Sequence, residues 1–464
     1  MEDVQDLLDI CHEACSRSKA SYFDIRYERL EGNELSLKDK EVREAVPVLE
    51  EGMGIRVLMD GAWGFASTNI IVKKDILTAC EAAARLAKMS ATKVKEHVEL
   101  AAVKAETDKV VWKPKKDPRY MSFEDKAELL FDMDKAARSV KGVHTMSASF
   151  ADGVLMWVFR SSEGARLSYT MPSTMVAAYV VAREGGVVNG FRTRVGGTQG
   201  LEVLDEDPPL PKVSEAAEKA VAILKGKRCP SGRMPVIADG ELAGVFVHEA
   251  LGHACEGDIV MAGKSILEGC LGKRIGSKLV TVVDDPTIRG AFGSFPFDDE
   301  GVRALQKTLV KAGVLTELIN SRSTASKLGL APNGGARAQD FSSRPIVRMS
   351  NTLLMPGDMT FEELLEGIDM GVYVKGSRGG QVDTAQGSFQ FNAQEAYLIE
   401  KGRVGPVLKD ASLSGSTLRM LSDMNGLGKE MERVGVGFCG KGQWVPVGDG
   451  GPHIRISKAV VGGS

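Results

Sequence analysis

The sequence predicts an α+β protein in two parts, and three observations carry that expectation. A helix followed by strand-rich sequence occurs twice, over about 1 to 90 and 120 to 200. The run DEDPPLPK, Asp205 to Lys212, is acidic with three prolines and reads as a linker. From Met234 onward, short apolar runs alternate with Gly, Pro, Asp and Asn, the pattern of a mainly antiparallel sheet with few helices. The expected division is therefore 1–208, an α/β domain with antiparallel sheet and helices, and 209–464. The first part falls into two lobes, 1–100 and 101–208.

Taken in order, Val4, Leu7, Leu8, Cys11 and Cys15 recur at helical spacing over 3–17. Cys11 and Cys15 read as small apolar residues on that buried face rather than as a metal cluster with His12. From Tyr22 the period changes to two, with Phe23, Ile25 and Tyr27 facing one way, which predicts a strand. A further strand is expected over Glu34 to Val46. Ile55 to Met59 and Ala62 to Ala66 flank Asp60-Gly61, a hairpin signal because a type I′ turn needs positive φ. Residues 73–89 predict a helix, and Val103 to Arg119 a surface connection. Ser122 with Asp125 marks a helix start for 123–139. Strands follow at Thr145 to Ala151, Val154 to Arg160 and Leu167 to Val181, then a helix at Ser214 to Leu224. In the second half, strands are expected at Leu279 to Val283, Ile346 to Met349, Val372 to Val374, Ala396 to Ile399 and Val404 to Leu408. Short helices are expected at 303–312 and 360–369.

Composition narrows the function. Hydrophobic content of 43% and charged content of 26% are those of a soluble globular protein. A net charge of −3 offers no electrostatic case for nucleic acid or an anionic membrane. The amino terminus lacks the basic and apolar regions of a signal peptide. The longest apolar stretch, Met175 to Ala182, is far short of the roughly 20 residues a membrane span needs. Seven scattered cysteines then suggest reduced thiols and a cytoplasmic location.

The chemistry concentrates in ELAGVFVHEALGHACEGD, Glu241 to Asp258. Zinc peptidases hold the metal with two imidazoles, and an adjacent carboxylate takes a proton from water. Here His248, Glu249 and His253 have the spacing H-E-x-x-x-H, one residue longer than the familiar H-E-x-x-H. Five residues of regular helix turn the imidazoles roughly 140° apart. A shared metal therefore requires a π-bulge, or a helix that ends, near Gly252, where the backbone yields most easily. Two of the six histidines flank one glutamate, but two ligands are too few for a zinc site. Candidates for a third are Glu256, Asp258, Cys255, Cys439 and His453. Cys439 lies in a glycine-rich loop beside Lys441, a setting that favours a thiolate.

Other motifs are weaker. Gly435, Gly437 and Gly440 spell G-x-G-x-x-G, but only 24 Gly- and Pro-rich residues follow, too few for a dinucleotide-binding unit. No G-x-S-x-G occurs. Asp284, Asp285, Asp298, Asp299 and Glu300 are a carboxylate cluster expected on solvated loops rather than around a hard cation. KGSRGGQVDT, Lys375 to Thr384, reads as a plain turn, with a strand edge for a peptide substrate as the alternative.

Taken together, GAWGFAST, FVHEALGHACEGD, VTVVDDPTIRGAFGSFPFDDEG, SNTLLMPG, GGQVDTAQGSF with EAYLIEKG, and FCGKGQWVPVGDGGP resemble the TldD/PmbA metalloprotease family, also labelled modulators of DNA gyrase. The match is closest to the TldD branch and runs almost end to end. The resemblance implies an α+β fold whose carboxy-terminal domain is built on a curved, mainly antiparallel sheet. It implies a Zn²⁺ peptidase with His248, His253 and Cys439 as metal ligands and Glu249 as general base. It further implies a dimeric assembly with a TldE/PmbA-like paralogue, or a second identical chain, that degrades unfolded or short peptides. The retained histidine motif marks the catalytic subunit; a non-catalytic metal- or peptide-binding subunit is the alternative. The gyrase label does not fit the composition. An extended peptide is expected against the strand edge Gly379, Gly380, Gln381 and Val382, since main-chain pairing is indifferent to sequence.

Overall fold

The computed structural model describes residues 4–463. Helix α1 spans Val4–Ser16 and buries Leu7, Leu8, Cys11 and Cys15, the stripe its spacing predicts. Strands β1 (Tyr22–Lys38), β2 (Glu41–Met59) and β3 (Ala62–Thr68) follow, then helix α2 (Lys73–Ala91). After β4 (Thr107–Val111) come α3 (Phe123–Ser139), β5 (Val143–Ser161), β6 (Arg166–Glu184) and β7 (Val187–Gly197). Two helices, α4 (Glu202–Glu206) and α5 (Pro209–Leu224), close this half.

The seven strands form one sheet, ordered β3-β2-β1-β5-β6-β4, with β7 also on β6. Two helix pairs cover it. Helices α1 and α2 enclose one core with Phe23, Ile25 and Ile55, and α3 and α5 enclose another with Met146, Phe150 and Val180.

Several boundaries differ from the sequence expectation, each for a local reason. Glu34 to Val46 is a hairpin whose turn is Asp39-Lys40, both at positive φ without glycine. Left-handed backbone costs about 1–2 kcal/mol for such residues. The Asp39 carboxylate offsets it by accepting from Thr145 Oγ1 at 2.6 Å, Arg138 Nη2 at 2.6 Å and the Met146 amide at 3.2 Å. By contrast, Asp152-Gly153 is not a break, and β5 runs straight through it. Asp152 is held in the strand by Lys126 of α3, 2.6 Å away with both side chains fully buried. The connection Val103 to Arg119 contains β4, parallel to β6. Asp205 to Lys212, read as a linker, ends α4 and begins α5, with prolines placed where a first turn tolerates them. Helix α5 packs on the amino-terminal sheet through Val213, Ala217 and Ala220.

The carboxy-terminal half holds two main sheets. In one, Met370–Asp383, Gly232–Ala238, Ile454–Gly463, Ala411–Ser416 and Ser388–Glu400 pair in that order. Met370–Asp383 also pairs with Ser388–Glu400, so the curved sheet closes on itself. The other includes Lys307–Lys311, Val282–Asp284, Asn351–Leu354, Trp444–Gly450 and, at its edge, Gly437–Gly440. Residues 303–312, expected to be helical, supply the strand Lys307–Lys311 instead, because Lys307 pairs with buried Asp284 across the ladder. Helix α6, Gly240–Phe246, is capped by Asp239 and packs on both Met370–Asp383 and Trp444–Gly450. A Cβ on Gly244 would fall 2.3 Å from the Gly450 amide, so glycine is what permits this approach.

Candidate metal centre

Helix α6 does not continue regularly. Val247–Gly252 is a π turn, followed by a 3₁₀ turn at His253–Cys255. The His253 amide donates to the His248 carbonyl, five residues back, and this extra residue rotates the two imidazoles together. Their centroids are 5.5 Å apart. Gly252 matters in a different way from the one its flexibility suggests. It keeps ordinary right-handed angles, φ −57° and ψ −50°, and a Cβ there would fall 2.1 Å from Sδ of buried Met349. Space, not conformational freedom, calls for glycine.

Cys439 reaches the histidines from the edge strand Gly437–Gly440, with its Sγ 3.2 Å from Nε2 of His253. One donor atom each from His248, His253 and Cys439 lie within 4.8 Å of one another. Burial pushes the Cys439 thiol up, but hydrogen bonding to His248 and His253 outweighs it and brings the thiol down to about 5. The imidazoles, not Lys441, make this thiolate. Lys441 instead bonds Asp258 at 2.7 and 2.8 Å and Glu256 at 3.0 Å.

The remaining third-ligand candidates take other places. Glu256 is fully buried and accepts from Nδ1 of His253 at 2.9 Å, leaving Nε2 for the Cys439 side. Asp258 anchors Lys441. Cys255 is buried outside the group. His453 packs on Phe361 and bonds the Tyr373 hydroxyl at 2.8 Å. Two imidazoles and a low-pKa thiolate suit a borderline-soft ion such as zinc. Nδ1 of His248, buried without a hydrogen-bond partner, is further consistent with a ring reserved for such a group.

Glu249 stands beside the trio, its side chain 41% exposed and Oε2 3.7 Å from Nε2 of His253. It faces a cleft of about 660 Å³ between the two halves. Arg192 and Arg194 of β7 and Lys219 of α5 line one side; Glu249, Gly379 and Asp449 line the other.

The segment Lys375 to Thr384 is not a plain turn. Most of it belongs to the strand Met370–Asp383, which pairs with Ser388–Glu400 through Gly380, Gln381 and Val382. Its opposite edge pairs with Gly232–Ala238 only at Val372 to Val374, so the stretch from Gly379 to Gln381 is open and exposed. Of the four expected substrate contacts, Gly379 lines the cleft, whereas Gly380, Gln381 and Val382 do not.

The carboxylate cluster is a clearer correction. Asp284, Asp298 and Glu300 are buried, not solvated. Asp298 accepts from the Glu300, Val302 and Ala336 amides, and Glu300 pairs with Arg56. They brace loops and form no metal group among the described residues. Gly437–Gly440 leads into another strand rather than a helix, which removes the nucleotide reading.

Two site residues escaped the sequence reading. Burial pushes the Asp449 carboxyl up to about 6, with His248 pulling the other way; its place in GDGGP was the available signal. Arg348, almost fully buried, donates to the Cys439 carbonyl at 2.5 Å and the Gln443 carbonyl at 2.8 Å. Nothing local in the sequence marks it.

Comparison with known proteins decides the family. Models of the PmbA/TldA metallopeptidase match three stretches: domain 1 over 23–87, the central domain over 116–224 and the C-terminal domain over 231–463. A protein named metalloprotease from Methanothermobacter thermautotrophicus is 44% identical over 449 residues, 96% of each chain.

This chain belongs to the PmbA/TldA metallopeptidase family.

Within the family, a zinc metalloprotease TldD homolog from Saccharolobus solfataricus is 32% identical, covering 96% of this chain and 97% of its own. TldE from Thermococcus kodakarensis shares the fold, with a TM-score of 0.81 at 20% identity over 98% of this chain and 100% of its own. In this PmbA/TldA metallopeptidase, no helix among the described residues is long and apolar enough to cross a membrane.

Proposed function

We propose that the chain is a zinc-dependent peptidase of the TldD type that hydrolyses unfolded or short peptides, with His248, His253 and Cys439 holding the metal. The observation that carries this reading is the convergence of these three donors beside Glu249, at the wall of an open cleft. A similar protein named a zinc metalloprotease supports the choice of ion.

Zn²⁺ held there would supply a Lewis acid and lower the pKa of a bound water to about 7. Glu249 accepts the proton of the attacking water at its carboxylate and returns it to the leaving amine. Its partial exposure lets it reach a substrate. Glu256 fixes the orientation of His253 through Nδ1, and Arg348 holds the backbone of Cys439. The open edge at Gly379 lets an extended peptide pair with the main chain inside the cleft, whatever its side chains. A cytoplasmic dimer, formed with a TldE/PmbA-like paralogue or a second copy, encloses the cleft in this reading.

The test combines elemental analysis with peptide cleavage. Wild type is expected to hold one zinc per chain and cleave; Glu249→Gln is expected to keep zinc and lose cleavage, and Cys439→Ala to lose both. Normal cleavage by the glutamine variant would remove Glu249 as base. A zinc-replete wild type that binds peptide without cutting it would establish the non-catalytic alternative. Light scattering on the chain alone separates a homodimer from a subunit awaiting a paralogue.

A further inference from the structure

The amino-terminal half contains a second convergence of soft ligands. Cys11 and Cys15 lie one turn apart on α1, and Cys80 comes from the middle of α2. Their sulfurs lie within 4.8 Å of one another, with Cys11 and Cys80 3.2 Å apart. All three are free thiols, none more than 4% exposed. A disulfide bond is about 2.05 Å long, so these sulfurs are not joined. A disulfide also uses only two sulfurs, and although the three thiols share a packed core with Ala79, Ala83 and Ala87, packing alone does not require three sulfurs to converge. The convergence of the third sulfur is what those readings leave over.

We propose that Cys11, Cys15 and Cys80 form a three-sulfur site for a soft monovalent cation, Cu(I), that ties α1 to α2.

Ligand softness and number select the ion. Thiolates favour Cu(I), zinc and iron–sulfur clusters. Structural zinc takes four ligands, and the group offers three. The trio shares its core with Leu7, Phe23, Ile25 and Ile76, apolar neighbours that offer no fourth ligand of the kind structural zinc takes.

The test uses the full chain carrying His253→Ala and Cys439→Ala, which removes the first site and makes the outcome independent of the peptidase reading. Cu(I) is presented anaerobically as its bicinchoninate complex. One equivalent is expected to stay with the protein through gel filtration, with thiolate-to-copper absorption in the near ultraviolet and a raised melting temperature. Adding Cys80→Ala, or Cys15→Ala should the first variant fold poorly, is expected to abolish retention with an unchanged far-ultraviolet spectrum. Cys270→Ala, outside the trio, is expected to keep the full equivalent. No transfer to the intact trio overturns the site. So does a Cys11–Cys80 disulfide mapped in protein alkylated during anaerobic lysis, and equal retention of Zn²⁺ overturns the assignment to a monovalent ion.

Discussion

Glu256 accepts from His253 at 2.9 Å, carboxylate oxygen to Nδ1, across the end of the distorted helix. The carboxylate is fully buried and held a second time by Lys441 at 3.0 Å. Such a partner sets which ring nitrogen faces the metal and how basic it is. Glu256→Gln keeps the shape and removes the charge. It is expected to weaken zinc binding about 10–100-fold, measured by competition with a chromogenic chelator; unchanged affinity would leave Glu256 with a packing role alone.

Gly252 and Met349 form a second testable pair. Gly252→Ala places a methyl 2.1 Å from Sδ of Met349, and overpacking of this kind costs about 1–3 kcal/mol. Urea denaturation of the single variant should show that loss. Combined with Met349→Ala, which opens the space, the alanine at 252 should cost measurably less. Simple addition of the two losses would show that the contact is relieved elsewhere.

The open edge near Gly379 predicts a pattern in the substrate rather than in the protein. Backbone N-methylation of a cleaved peptide, moved one residue at a time, is expected to lower kcat/KM at alternate positions, since every second amide of an added strand points at its neighbour. Equal effects at all positions would argue against strand addition. A Gly380→Pro variant is a poor probe, because a Cβ there would lie 2.1 Å from the Gln390 carbonyl and disturb the hairpin itself.

Asp284 is a structural carboxylate. It accepts from Lys307 at 3.1 Å, the Ser350 amide at 2.8 Å and the Ser350 hydroxyl at 2.8 Å, with no exposure. Asp284→Ala strands the buried Lys307 ammonium and is expected to cost about 3–5 kcal/mol in chemical denaturation. Added Ca²⁺ should leave the wild-type melting temperature unchanged; a marked rise would revive the hard-cation reading of this cluster.

The elements most legible in the sequence are those whose signal is local. The α1 stripe, the Asp60-Gly61 turn with both residues at positive φ, and the Ser122 cap accepting from the Asp125 amide all need only neighbours a few residues away. Misread stretches depend on distant partners. Asp39 makes a turn without glycine because Arg138 and Thr145 support it, and Asp152 stays in a strand because Lys126 reaches it from α3. Lys307–Lys311 is a strand because Val282–Asp284 lies beside it.

At the site, the sequence by itself determined the pair of histidines, the adjacent glutamate and the need for a break in helical register, since a five-residue spacing on a regular helix cannot aim both rings at one point. Spacing along the chain left five candidates for a third donor and had no means of choosing among them; the choice of Cys439 came from the family resemblance of its motif. The tertiary structure supplies the physical ground for it, bringing Cys439 to 3.2 Å from His253 while turning Glu256 to the ring's far nitrogen and carrying His453 away to Tyr373. The physical reason is the reach of the forces involved. Helix periodicity and turn chemistry act over a few residues, whereas the position of an edge strand 186 residues away from His253 depends on the sheet that packs around α6.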